Sequence, residues 1–202
     1  ASFYGVIEAC RRIRRPRWLL PAVAGVLVGR LGLAVPGVLG TGYGTAQQLM
    51  TASGVESLPL LLLLAIPFAK IVATSLSIGS GGSGGIFGPG MVIGAALGAA
   101  FWRVLHDVPG LAGTVGDSPA IFALVGMVAV FGSIAHVPVA MTLMVAEMTG
   151  NLAVVPPAML ALAIAAVIVG RTTIYRSQLT TRSGPGTALE ADARIAGPAA
   201  PG

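Results

Sequence analysis

Charge is scarce in this chain. Only 9% of its 202 residues are Asp, Glu, Lys or Arg, against about 25% in a soluble globular domain. A soluble bundle of this composition would have too little polar surface to cover its core. Cysteine is nearly absent: Cys10 stands alone, which excludes an intrachain disulfide and any cysteine-based metal cluster. No metal site and no cofactor are expected. Residues 1–10 lack the basic start and apolar centre of a cleavable leader. The missing initiator Met and the abrupt opening suggest a fragment or a processed chain. What is abundant is apolar: 55% hydrophobic residues, a mean hydropathy of +0.89, and several runs approaching the ~20 residues that a bilayer-spanning helix needs. The expected class is an all-α, polytopic membrane protein.

The net charge of +5 would suit nucleic acid, but the basic residues cluster beside apolar segments, which is how membrane topology is written. No nucleic-acid partner is expected; membrane lipid is. "RRIRRPR", residues 11–17, is a basic loop. The pattern then predicts an apolar helix from about Trp18 to Val35, with Gly25 and Gly29 spaced for close helix packing and Arg30 as its one charge. "PGVLGTGYGTAQQLM" predicts a turn and a short amphipathic or re-entrant piece. "SLPLLLLLAIPFAKIVATSLSIGS" predicts the next span, interrupted by Pro67 and carrying Lys70. Further helices are predicted over Pro89–Leu105, with Gly94 and Gly98 as a second small-residue pair, then over Pro119–Ala135, Pro138–Met148, Leu152–Gly170 and Ile174–Arg182. A polar loop covers residues 106–118. Residues 1–182 read as one transmembrane unit and 183–202, rich in Gly, Pro and Ala, as a disordered cytoplasmic tail. With 11–17 in the cytoplasm, the weakly charged segments 36–57, 103–118 and 149–151 fall outside and Arg171, Arg176 and Arg182 inside, as the lysine and arginine bias requires.

Several helices are too short to cross a bilayer upright. Broken helices at membrane depth are tolerated only around protein or a water-filled cavity, and transporters aim such half-helix ends at ions. "SIGSGGSGGIFGPG", residues 77–90, is the most conspicuous break. Gly79, Gly81 and Gly84 fit G-x-G-x-x-G, but no acidic ribose partner and no βαβ context accompany them. Gly81-Gly82-Ser83-Gly84 matches a loose nucleophile pattern. With His136 on a later helix it defines a rhomboid-like serine protease as the alternative, which would need both side chains within hydrogen-bond reach. The plainer reading of His136 is a helix-end residue at the Ala135–Pro138 bend. The third chemistry is anion coordination. A helix beginning around Ile86–Pro89 presents free amides and its positive dipole end, glycines allow close approach, and Pro89 suits a first turn. A flexible hinge or a helix-packing stretch is the plainest reading of the glycines.

Against this background "GSGGSGGIFGPGMVIGAALGAAF" resembles the G-x-F-x-P region of the CLC chloride channel and transporter family. "LLPAVAGVLVGRLGLAVPGVLGTGYG" is similar to the family's segment two helices upstream, "FALVGMVAVFGSIAHVPVAMTLMVAEMTGN" to its later paired helices, and "IYRSQLTTR" to its final helix with a buried tyrosine. The resemblance implies half of an inverted-repeat fold with short tilted helices. It implies a chloride site at the backbone amides of Ile86 and Phe87 and the hydroxyl of Tyr175, supported by Gly79, Gly81, Gly82, Gly84, Gly85, Gly88 and Pro89. Glu147 takes a structural helix-end position, and Lys70 that of a packing or pairing residue. The family's first-half segments, G-S-G-x-P and Gly-Lys/Arg-Glu-Gly-Pro, do not occur here. The chain therefore resembles the C-terminal half of a subunit, which would carry only part of the chloride pathway of a voltage-gated channel or an H+/Cl− exchanger; besides the protease, a fragment that transports nothing is the other alternative. Its expected partners are chloride, the missing N-terminal half and a second copy in a homodimer whose interface includes the two helices after Pro138. The expected place is the plasma (inner) membrane, and no enzymatic activity is expected.

Overall fold

The structure is a computed structural model that describes residues 19–82 and 84–170. Nine α-helices and two 3-10 turns occur among the described residues. They are α1 (Leu19–Ala34), a 3-10 turn (Pro36–Val38), α2 (Tyr43–Gln48), α3 (Ala52–Glu56), α4 (Leu60–Gly79) and α5 (Phe87–His106). After these come α6 (Ala112–Val115), α7 (Ala120–Ala135), α8 (Pro138–Thr149), a second 3-10 turn (Leu152–Val154) and α9 (Val155–Val169). The fold is all-α. α4, α5 and the stretch Leu152–Val169 are long and apolar enough to cross a membrane, while α1, α7 and α8 are shorter apolar helices. The chain is a multi-pass membrane protein.

Local chemistry sets the helix ends. Thr51 Oγ1 accepts from the Gly54 amide at 3.2 Å and starts α3; Asn151 Oδ1 accepts from the Ala153 amide at 3.0 Å before α9. Such side-chain oxygens occupy donors that a helix start leaves free. Pro sits in the first turn of α8 and of α9, where a missing N–H is harmless. α8 stops at Gly150, in the left-handed region at φ 62°. Pro67 lies inside α4, which continues through it. Serines in α4 return their hydroxyls to their own helix, Ser75 to the Ile71 carbonyl at 2.6 Å and Ser77 to Ala73 at 2.8 Å, so they are tolerated among apolar neighbours.

The core is built on α5, which packs between α4 and α7; α7 in turn packs on α8 and α9. Hydrophobic contrast cannot drive helices together in hydrocarbon, so close backbone approach has to. A Cβ at Gly94 would lie 2.7 Å from the Met127 Cα, and one at Gly98 would lie 2.6 Å from the Phe122 carbonyl carbon. Gly126 faces Gly94 from the other side. Ala95, Ala96 and Ala99 lie on the buried face of α5 and are fully buried. The outer surface is the reverse of a soluble protein's: Leu33, Leu61 and Val167 are more than four-fifths exposed.

The predicted segments correspond to these elements with shifts at their ends. α5 begins at Phe87, two residues before Pro89, and a short helix, α6, interrupts the predicted polar loop. The expected packing through Gly25 and Gly29 is not made among the described residues. Both are exposed and a Cβ at either would meet nothing within 4 Å. The packing glycine of α1 is Gly32, pressed against Leu39. The predicted helix over Ile174–Arg182 and the tail 183–202 lie outside the described residues.

Candidate functional site

The glycine stretch divides into two parts with different physical roles. Its first part is a helix stop. Gly79 is the last residue of α4 rather than part of a loop. The Gly81 amide donates to the Ile78 carbonyl at 3.1 Å and the Gly82 amide to Ser77 at 2.9 Å, the paired bonds of a Schellman cap. Gly81 carries the required left-handed conformation at φ 102°, and a Cβ at Gly82 would come within 2.6 Å of the Ser77 oxygen. The second part is open. Gly84 and Gly85 are exposed, and a Cβ at either would meet nothing within 4 Å.

This open part leads into the N-terminus of α5. Ile86, the cap residue, has φ −90° and ψ −11° and supplies no side-chain cap; its carbonyl accepts from the Gly90 amide at 3.0 Å. Among the described residues no acceptor receives the amides of Ile86, Phe87 or Gly88. They sit at the positive end of a 20-residue helix, where partial charges equivalent to about half a proton gather. Pro89 follows in the first turn and has no N–H to offer.

The first turn of α5 is held from two sides. On one, the Phe87 ring meets Phe131 of α7 edge-on, centroids 5.1 Å apart at 84°. Phe131 also fills the space over Gly90, where a Cβ would lie 2.9 Å from ring carbon Cε2. On the other side lies the Gly40–Gly42 turn. A Cβ at Gly88 would lie 3.1 Å from the Thr41 carbonyl oxygen, and one at Gly42 would lie 2.5 Å from Val92 Cγ2. Behind that turn is Lys70, 1% exposed. Its Nζ donates to the Val38 and Gly40 carbonyls, each at 2.8 Å.

The far end of α5 is equally well held. Arg103 and His106 occupy its last turn, where the Arg103 charge complements the dipole. Arg103 Nε pairs with Asp107 at 3.0 Å. Trp102 is buried, donates through Nε1 to the Gly116 carbonyl at 3.0 Å, and stacks on His106 with centroids 4.7 Å apart.

The structure thus brings Ile86, Phe87, Gly85, Gly88 and Pro89 together at one helix start. Gly81 and Gly82 belong to the cap of α4 beside it. Tyr175 and Ser83 lie outside the described residues. His136 caps α7 in the left-handed conformation, φ 55° and ψ 38°, with Nε2 3.3 Å from the Gly170 carbonyl; this is the helix-end role. Glu147 is exposed near the end of α8, and its main-chain carbonyl accepts from Gly150 at 3.2 Å. Two features were not read from the sequence: the partners of Lys70, expected only as a packing or pairing residue, and the part played by Phe131. Lys70 carried a signal, a charge within an apolar run, but its partners lie 30 and 32 residues upstream. Phe131 carried none.

Short and long apolar helices packed backbone to backbone, with a helix start left open beside glycines, define a multi-pass membrane protein. The chain belongs to the voltage gated chloride channel family, whose model matches residues 2–170. It is 38% identical over 173 residues to the voltage-gated ClC-type chloride channel ClcB of Escherichia coli O139:H28 (strain E24377A / ETEC), and equally to those of strain K12 / DH10B and of O157:H7 (strain EC4115 / EHEC). Each match takes in 83% of this chain and 39% of the relative. The chain therefore spans about two fifths of the length of the curated relatives it matches.

Proposed function

We propose that this chain is the C-terminal half of a subunit that moves chloride across the plasma membrane as a homodimer, its other half being supplied by an N-terminal segment of the same family. Chloride is a transported ligand rather than a cofactor, and the activity is transport, not catalysis. The amides of Ile86 and Phe87 and the hydroxyl of Tyr175 hold the ion; Gly85 and Gly88 let it approach. The observation that carries this reading is the set of first-turn α5 amides with no acceptor among the described residues, next to a backbone whose glycines leave free space. Unpaired donors at membrane depth are expensive, about 2–7 kcal/mol each without compensation, so an acceptor is expected there. Partial charges suit conduction better than a lysine would, because the ion has to leave again. The relatives' name, chloride channel, agrees with that chemistry.

The test is a chloride titration of the 15N-labelled chain in detergent micelles, following the amide resonances of Ile86, Phe87 and Gly88. Saturable shifts at these three are expected, with none at the α7 cap around His136; absence of shifts would overturn the assignment. Because the donors are main-chain groups, Phe87→Ala is expected to weaken chloride binding less than Tyr175→Phe combined with Gly85→Val. Equal losses by calorimetry would argue against backbone coordination. Joined to the N-terminal half of one of the E. coli relatives, the chain is expected to release chloride from loaded liposomes.

A further inference from the structure

Lys70 is a buried amino group whose two acceptors are both main-chain carbonyls of one short segment. Among the described residues no carboxylate pairs with it; Glu56, Asp107, Asp117 and Glu147 are all exposed. Placing a lysine inside an apolar helix bundle is unfavourable, and such residues persist where they pair with backbone carbonyls around an ion path. A residue needed only to fill volume would be leucine or methionine. The segment it binds is also unusual. Val38 closes a 3-10 turn, and Gly40 and Gly42 both take left-handed conformations at φ 63° and 87°. The Val38 and Gly40 carbonyls accept no backbone amide among the described residues, so Lys70 is what satisfies them there.

The same segment is wedged against α5. Thr41 touches Gly88, Gly42 touches Val92, and a Cβ at Gly42 would lie 3.2 Å from Lys70 Nζ. The order is therefore Lys70 on α4, then the Gly40–Gly42 turn, then the first two turns of α5. We propose that Lys70 is a positioning residue for the anion-facing end of α5: by holding two carbonyls it clamps the Gly40–Gly42 turn onto Gly88 and Val92, and so fixes where the first-turn amides of that end point. The inference deepens the chloride-site reading and rests on it for its functional consequence. The clamp itself stands on the contacts alone.

The experiment measures two things on the purified chain in micelles, with wild type, Lys70→Met and Lys70→Arg: backbone hydrogen exchange over residues 38–46 and 87–92, and chloride affinity from the amide titration. Lys70→Met keeps the volume and loses the donors. It is expected to speed exchange in the turn and to weaken chloride binding about tenfold, the scale of one charge-assisted hydrogen bond. Lys70→Arg, which keeps a donor fork, is expected to restore most of both. Wild-type exchange and affinity in Lys70→Met would overturn the clamp, as would a loss that Lys70→Arg does not repair. If wild type itself shows no chloride response, the site reading falls while the exchange comparison still decides the clamp. If Lys70→Met loses its cooperative melt, Gly88→Ala replaces it. That methyl presses on the Thr41 carbonyl with Lys70 intact, and unchanged chloride affinity alongside faster exchange in the turn would overturn the proposal.

Discussion

Two pairs of glycines in this chain share one spacing and have opposite fates. Gly94 and Gly98 on α5 lie so close to the α7 backbone that neither could carry a methyl group without displacing Gly126, Met127 or Phe122. Gly25 and Gly29 on α1 meet nothing. A small residue every fourth position gives a helix the capacity for close approach. Whether it is used depends on a partner surface equally bare, and α7 supplies one at Gly126 while none of the described residues does so for α1.

One added methyl separates the two pairs. Gly98→Ala is expected to destabilise the chain by about 3 kcal/mol, because the atoms it strikes are backbone and cannot rotate away. Reversible unfolding in mixed micelles would measure it, and a loss below about 1 kcal/mol would mean that the helices can part freely. Gly81→Ala isolates the glycine whose need is conformational. At φ 102° it is expected to lose about 1–2 kcal/mol by the same measurement. Gly25→Ala should change sign, gaining about 0.5–1 kcal/mol from helix propensity with no clash to offset it; a destabilisation would reveal a neighbour on that face. The smallest stability effect is expected for Gly85→Val, within about 0.5 kcal/mol, yet its chloride titration should weaken. That split between fold and ligand would mark Gly85 as a glycine kept for what approaches it.

Much of the architecture was legible in advance because hydrophobic run length and Pro/Gly punctuation are local signals. The α4 span, the α5 start near Ile86–Pro89 and the His136 bend all follow from a few neighbouring residues. The site's surroundings were not legible. Lys70 reaches carbonyls more than one helix upstream, and Phe131 meets Phe87 across 44 positions of sequence, a pairing that only the α5–α7 packing creates. The glycine stretch shows a subtler limit. Composition made it one loop, while the hydrogen bonds divide it into a helix stop at Gly81–Gly82 and an open approach at Gly84–Gly85, because an αL turn and an empty space both select the same residue.

Trp102 adds a mechanical consequence. With its indole fastened to the Gly116 carbonyl and stacked on His106, and with Phe131 gripping the opposite tip, α5 behaves as a strut braced at both extremities. Sliding it along its axis would break the Trp102 hydrogen bond and the Phe87–Phe131 ring contact together.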